Sequence, residues 1–155
     1  MCAQLHDTGM IRGTVQTLDG DRIEEVLVEL SGSMQATSAT GNTGDFVFTS
    51  LPRGDTFQVR PYKDDDTRNG VSTLDLIKIQ KHVLGETRIT NPYRLIAADV
   101  NNSGSVTTLD LIQLRKVILQ VDGHFRNNTS WRFIEANYEF PNQADPWQEA
   151  FPEAV

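Results

Sequence analysis

Two stretches of this chain spell the same pattern, thirty-five residues apart when counted from Asp64 to Asp99. The first runs Asp64-Asp65-Asp66-Thr67-Arg68-Asn69-Gly70-Val71-Ser72-Thr73-Leu74-Asp75. The second runs Asp99-Val100-Asn101-Asn102-Ser103-Gly104-Ser105-Val106-Thr107-Thr108-Leu109-Asp110. Each is a run of short oxygen-bearing side chains, then a turn residue, then an apolar stretch with helical spacing. Those stretches are Leu74, Ile77, Ile79, Val83 and Leu84, and Leu109, Ile112, Leu114, Ile118 and Leu119. Oxygen ligands at alternate positions of a loop of about twelve residues, closed by a carboxylate, are how proteins hold calcium. One Asp/Asn/Gly cluster alone reads as a solvated turn. Two in register, each followed by a matching helix, read as a duplicated binding unit.

The second loop assigns its ligands cleanly. Asp99, Asn101 and Ser103 take positions one, three and five, and Gly104 takes position six, where the chain needs a positive φ. Ser105 offers a backbone carbonyl, Thr107 stands at the position often bridged by water, and Asp110 closes the loop. Val106 points inward, toward a short β contact with its counterpart Val71. The first loop admits two registers. Without gaps, Asp64, Asp66, Arg68 and Asn69 fall at positions one, three, five and six, followed by Gly70, Ser72 and Asp75. Arg68 brings no ligand oxygen, and Asn69 can adopt the left-handed conformation. The rival register uses Asp65, Thr67, Asn69 and Gly70 and needs one residue fewer before Asp75. The gapless register is preferred because it keeps Val71, Ser72 and Asp75 in phase with the second copy. Two calcium ions are expected.

Residues 9–61 read as β. Ile11, Gly13 and Val15 alternate with polar residues, as do Val26, Val28 and Leu30, then Phe46 and Phe48, then Phe57 and Val59. Asp19-Gly20, Ser31-Gly32, Gly41-Asn42, Thr43-Gly44 and Pro52-Arg53-Gly54-Asp55 are turn signals between them. Four strong strands and a weaker one near residues 35–40 suggest a small antiparallel sandwich. Residues 62–120 hold the repeat. Gly85 is predicted to stop the first helix, and Asn91-Pro92 to break the chain between copies, with Tyr93, Leu95 and Ile96 as a short apolar bridge. The near-absent linker at residues 61–63 predicts rigid docking of the two modules. Residues 121–155 carry Phe125, Trp131, Phe133, Tyr138, Phe140, Trp147 and Phe151, punctuated by Pro141, Pro146 and Pro152. This tail either packs back to complete a small core, or forms an exposed aromatic platform for sugar or protein, or begins a further module. The fold class is therefore α+β and multi-module.

Composition limits the function. The hydrophobic share of 38% is below the globular norm and fits a core that leans on metal ions. The net charge is -7 with no basic stripe, so nucleic acid is not expected as a partner. No apolar run is long enough to span a membrane, and residues 1–6 do not read as a signal peptide. The lone Cys2 cannot form an internal disulfide. Catalysis is not expected. His6 and His124 stand in polar, loop-like contexts and His82 on a polar stretch of the first helix, where it reads as solvated. No GxSxG, HExxH or phosphate loop occurs.

Residues 62–120 resemble type I dockerin repeats, in which a calcium loop closed by Asp leads directly into one helix. Asp99, Asn101, Ser103, Gly104, Val106, Thr107 and Asp110 match well, and Leu111, Ile112 and Lys116 continue the match; the first copy matches from Gly70 onward. The resemblance implies a cohesin-like partner, two calcium ions and an extracellular or cell-surface setting, often in polysaccharide-degrading assemblies. It also implies that Thr73, Leu74, Gln80 and Lys81, and Thr108, Leu109, Arg115 and Lys116, face the partner. Residues 9–61 are similar to carboxypeptidase-regulatory-like or prealbumin-like modules, through Ile11-Arg12-Gly13-Thr14-Val15, Val26-Leu27-Val28-Glu29-Leu30, Thr43-Gly44-Asp45-Phe46-Val47-Phe48 and Leu51-Pro52-Arg53-Gly54. The leading expectation is a non-catalytic, calcium-dependent docking module of a secreted or surface protein. The alternative is a calcium-rigidified structural module of an adhesin or filament, in contact with other modules of the same assembly.

Overall fold

The computed structural model describes residues 8–153; Cys2 and His6 lie outside them. Over these residues the chain is mixed α and β, with small antiparallel sheets and three helices. The described residues divide into two compact units, one of residues 8–63 with Glu153, the other Asp64–Pro152.

The first unit holds five strands: β1 (Thr8–Thr14), β2 (Leu27–Gly32), β3 (Ala36–Ala39), β4 (Asp45–Pro52) and β5 (Phe57–Tyr62). β1 pairs with β4, and β2 lies between β3 and β5, all antiparallel. The period-two alternation decides which side chains leave water: Val28 and Leu30 on β2, Phe48 on β4 and Val59 on β5 are buried, with Val15 and Val26 beside them. One irregularity departs from plain alternation. Gly9 faces Leu51, but Ile11 faces Phe48, so β4 carries one extra residue around Thr49–Ser50, where Ser50 has φ +62°. The bulge changes the phase of the strand, and Phe48 and Leu51, three apart, are both buried. Thr40 is the buried polar residue of this unit. Its hydroxyl accepts from the Val26 N–H at 3.0 Å and donates to the Ile23 carbonyl at 2.8 Å, which satisfies both in the absence of water.

The second unit holds α1 (Thr73–Val83), α2 (Pro92–Ala98) and α3 (Thr108–Ile118). Ile79 of α1, Ala98 of α2, Leu114 of α3 and Val100 form its buried cluster, wrapped by Leu76, Val83, Ile89, Leu111, Ile118 and Phe125 among others. α2 corrects the expected break between copies. The Asn91 side chain accepts from the Arg94 N–H at 3.2 Å and Pro92 takes the first helical position, so Asn-Pro starts a helix here rather than ending one. Leu95 and Ile96 are buried through it.

Both long helices end in a left-handed residue. Gly85 at φ +75° stops α1 as expected, and Gln120 at φ +58° stands one repeat later after α3. The N–H groups of Glu86 and Val121 return to the carbonyls of Lys81 and Lys116 at 2.9 and 2.8 Å. Residues 121–153 contain no helix or strand. Tyr138 and Phe140 meet edge to face at 4.9 Å, and Phe140 meets Tyr93 of α2 at 5.3 Å. The seven tail aromatics are all half-buried. Trp131 and Phe133 stack at 6.5 Å, and Phe140 also meets Phe151 at 5.9 Å.

Candidate metal centre and docking faces

The second loop is organised around two buried carboxylates. Asp99 is 1% exposed and Asp110 0%. Asp99 Oδ1 accepts from the Ser103 N–H at 2.9 Å, and Oδ2 from the Gly104 N–H at 2.8 Å. This bends the loop back over its first residue, and Gly104 makes the turn at φ +79°. Asp110 Oδ1 accepts from the Asn101 N–H at 3.1 Å; Oδ2 accepts from the Thr107 N–H at 2.7 Å and the Thr107 hydroxyl at 3.1 Å. Asp110 is the third residue of α3 and closes a capping box with Thr107. The closing carboxylate therefore starts the helix as well as the site. Thr107 Oγ1 also accepts from the Leu109 N–H at 3.2 Å, so this hydroxyl is committed to the cap. Ser103 Oγ lies 3.3 Å from the Ser105 carbonyl.

Asn101 Oδ1 is buried and has no hydrogen-bond partner. A buried carbonyl oxygen left unpaired costs free energy unless something electropositive meets it. It belongs to position three of the loop, flanked in sequence by the carboxylates of positions one and twelve. Hard oxygen donors of this kind suit calcium. The residues present thus fit a cation held by Asp99, Asn101, Ser103, the Ser105 carbonyl and Asp110.

The first loop is more open. Asp64, Asp66, Asn69 and Gly70 are exposed, and so is Ser72. Asp66 Oδ1 accepts from the Arg68 N–H at 3.0 Å in a local turn, and Asp64 Oδ1 accepts from the Ser130 N–H at 2.8 Å. Asp75 repeats the closing role: Oδ2 accepts from the Ser72 N–H at 3.0 Å and its hydroxyl at 2.9 Å, while Lys78 Nζ stands 3.3 Å from Oδ1. The left-handed turn falls on Gly70 at φ +74°, and Asn69 is not in that region. This corrects the expectation placed on Asn69 and aligns Gly70 with Gly104, as the shorter register requires. The β contact between Val71 and Val106 is also absent among the described residues. The Val71 N–H is taken by the Arg68 carbonyl at 3.1 Å. The two valines meet the buried cluster through their side chains instead. Among the described residues no three His, Cys, Asp or Glu side chains gather as a metal-holding group; the second loop presents two carboxylates with amide and hydroxyl oxygens.

The helices carry two apolar faces. Ile79, Leu76 and Val83, and Leu114, Leu111 and Ile118, face the cluster. Leu74, Ile77 and Leu84 are 55%, 50% and 61% exposed, and their repeat counterparts Leu109, Ile112 and Leu119 are 59%, 51% and 65%. Ile77, Leu84, Ile112 and Leu119 belong to the apolar helical pattern but stand outside the buried cluster. Thr73 and Thr108, which precede Leu74 and Leu109, are exposed as well. Gln80, Lys81 and Arg115 are exposed, and Lys116 is half-buried. His82 is half-buried, not solvated, because its Nδ1 accepts from the Ile89 N–H at 3.0 Å and ties α1 to the following chain. His124 is exposed.

Residues missed in the sequence are those of the C-terminal segment. Asn128 Nδ2 donates to the carbonyls of Asp99 at 3.1 Å and Val100 at 3.5 Å, and Arg132 donates to Asn102 Oδ1 at 2.8 Å. An irregular segment reaching back across the chain leaves no periodic signal. No helix among the described residues is long and apolar enough to cross a membrane.

Residues 63–119 match the family model of the dockerin type I domain. No curated protein matches the chain, and no solved structure does. The match supports the dockerin resemblance over that segment, and dockerins are non-catalytic, calcium-binding docking domains.

Proposed function

We propose, from the type I dockerin match and the geometry around it, that residues 64–152 form a calcium-dependent docking module. Two ions are held, one by Asp99, Asn101, Ser103, Ser105 and Asp110, the other around Asp64, Asp66, Asn69, Gly70, Ser72 and Asp75. The partner is a cohesin-like domain, and the setting is extracellular or on the cell surface. The β unit is a companion module of carboxypeptidase-regulatory-like type.

The observation that carries this reading is the duplicated exposed face. Six large aliphatic side chains stand at least half exposed, in two sets of three that map onto each other through the repeat. Scattered apolar residues on a surface need no explanation, but matched sets point to a binding role. They favour docking over the purely structural alternative, which gives no reason to keep leucine and isoleucine in water twice. Catalysis has no support in this arrangement. The carboxylates are tied to backbone N–H groups, and His82 is held by a structural hydrogen bond.

The test uses the full chain and a panel of cohesin domains, with calcium and with chelator. Binding is expected only with calcium. Leu74→Ala with Ile77→Ala in one face is expected to leave much of the affinity, as is Leu109→Ala with Ile112→Ala in the other. All four together should cost about 2 kcal/mol or more, as truncated hot spots do. Undiminished binding by the fourfold variant would remove these faces from the interface.

A further inference from the structure

The segment 123–132 touches the two loops in turn. Gly123 accepts through its carbonyl from the Thr67 hydroxyl of the first loop at 3.3 Å. Asn128 holds the carbonyls of Asp99 and Val100 in the second. The Ser130 N–H donates to the Asp64 carboxylate of the first at 2.8 Å. Arg132 donates to Asn102 of the second at 2.8 Å. The contacts alternate first, second, first, second along one short strip of chain.

Two of them fall at the heads of the loops, on Asp64 just before the first turn and on Asp99, which opens the second. Asn128 and Ser130 are two residues apart, so the chain between them spans at most about 7 Å. The strip cannot follow one loop and ignore the other. It is also internally braced. Asn128 Oδ1 accepts from the Thr129 N–H at 3.0 Å and from Arg132 at 3.4 Å, and the Arg132 guanidinium lies 5.7 Å from the Phe151 ring centre. The Ser130 hydroxyl is buried without a hydrogen-bond partner, so its side chain is not what places Ser130 there. The N–H contact to Asp64 and the neighbouring braces do so.

We propose that residues 123–132 are a strap that couples the two calcium loops, so that filling either raises the affinity of the other. This rests on the calcium reading above and adds to it the route of communication. A cation that fixes the Asp99 end of the second loop fixes the carbonyls on which Asn128 sits. That places the Ser130 N–H, which orients Asp64 before its own ion arrives. Ordering spent once is not spent twice, and this is positive coupling. By linkage the effect is reciprocal.

The experiment is a calcium titration of the full chain, followed at the backbone amides of Gly70 and Gly104, one reporter in each loop. In the unaltered protein both amides should move together, with a Hill coefficient above one. Asn128→Ala touches only the second loop, yet should raise the calcium midpoint read at Gly70 by roughly two- to tenfold, the worth of about one hydrogen bond. Thr67→Val touches only the first loop and should raise the midpoint read at Gly104 in the same way. The variants are reciprocal, so loss of fold in one leaves the other to decide. If each variant moves only its own loop's reporter, the strap does not couple the sites, although the calcium reading stands. If neither amide responds to calcium in the unaltered protein, the calcium reading falls and the coupling with it.

Discussion

Replacing Asp110 by Asn, and Asp75 by Asn, should separate the two loops by more than their sequence likeness suggests. Both substitutions keep size and shape. At Asp110, however, both oxygens accept from backbone donors, Oδ1 from Asn101 and Oδ2 from Thr107, in a side chain that is fully buried. An amide can present only one oxygen, so whichever way it turns, its NH2 group confronts a backbone N–H. One hydrogen bond to a charged group, worth about 1.5–3 kcal/mol, is lost outright. At Asp75 both donors of Ser72 share Oδ2, and Oδ1 meets only Lys78 in an exposed pair. An amide turned with its oxygen toward Ser72 keeps those bonds, and the surface pair contributes about 1 kcal/mol or less. Asp110→Asn should therefore be the costlier change by about 1–2 kcal/mol. In a domain of this size that is a melting point lower by roughly 4–16 °C. Thermal melts followed by helical circular dichroism would measure it, in calcium and in chelator, because the hydrogen bonds belong to the protein in either buffer. Equal losses from the two substitutions would refute the argument that Asp110 is a double acceptor.

Two other outcomes follow from single positions. Gln120 occupies the left-handed position that Gly85 fills in the first repeat, so Gln120→Gly should stabilise the 64–152 unit by up to about 1 kcal/mol in chemical denaturation; a loss of stability would show that the Gln120 side chain contributes more than its backbone costs. In the β unit, the Thr14 hydroxyl, 2.7 Å from Asp45, holds that carboxyl below the usual range, helped by Thr43 and, less, by Arg22, against desolvation that raises it. A lowered folded-state pKa gives stability that is present above the ordinary carboxylate pKa and is lost as pH falls through the lowered one. Thr14→Val should weaken this acid-side dependence, read as a smaller shift of the Asp45 carboxyl by NMR titration; an unchanged Asp45 titration would contradict it.

The strands were legible because burying one face of a sheet forces alternation, and Val26, Val28, Leu30, Phe48 and Val59 obey it. The helices were legible as helices, but not their outward faces. Ile77 and Ile112 carry the same apolar character as core residues, and only packing distinguishes a buried isoleucine from one kept in water. α2 was hidden by an ambiguity of two letters. Asn-Pro both breaks a preceding helix and caps a following one, and the burial of Leu95 and Ile96 decides between them. The turn of the second loop could be read from spacing alone, because a tight loop ties Asp99, Gly104 and Asp110 each to a backbone role. The strap could not, since hydrogen bonds from Asn128, Ser130 and Arg132 to partners about 29 to 66 positions away obey no period.

The extra residue in β4 sets a rule for how that strand can change length. Ahead of Thr49 the inward side chains fall on even-numbered positions, Phe46 and Phe48; beyond Ser50 the inward position is Leu51. The bulge acts as a parity correction between the two ends of one strand. Deleting Thr49 or Ser50 would leave Phe48 and Leu51 two apart, opposite Ile11 and Gly9 on one face of an unbroken ladder, so the strand can shorten there by one residue and keep its buried side. A deletion between Phe46 and Phe48 meets no such slack, and it would turn one of the two rings toward water.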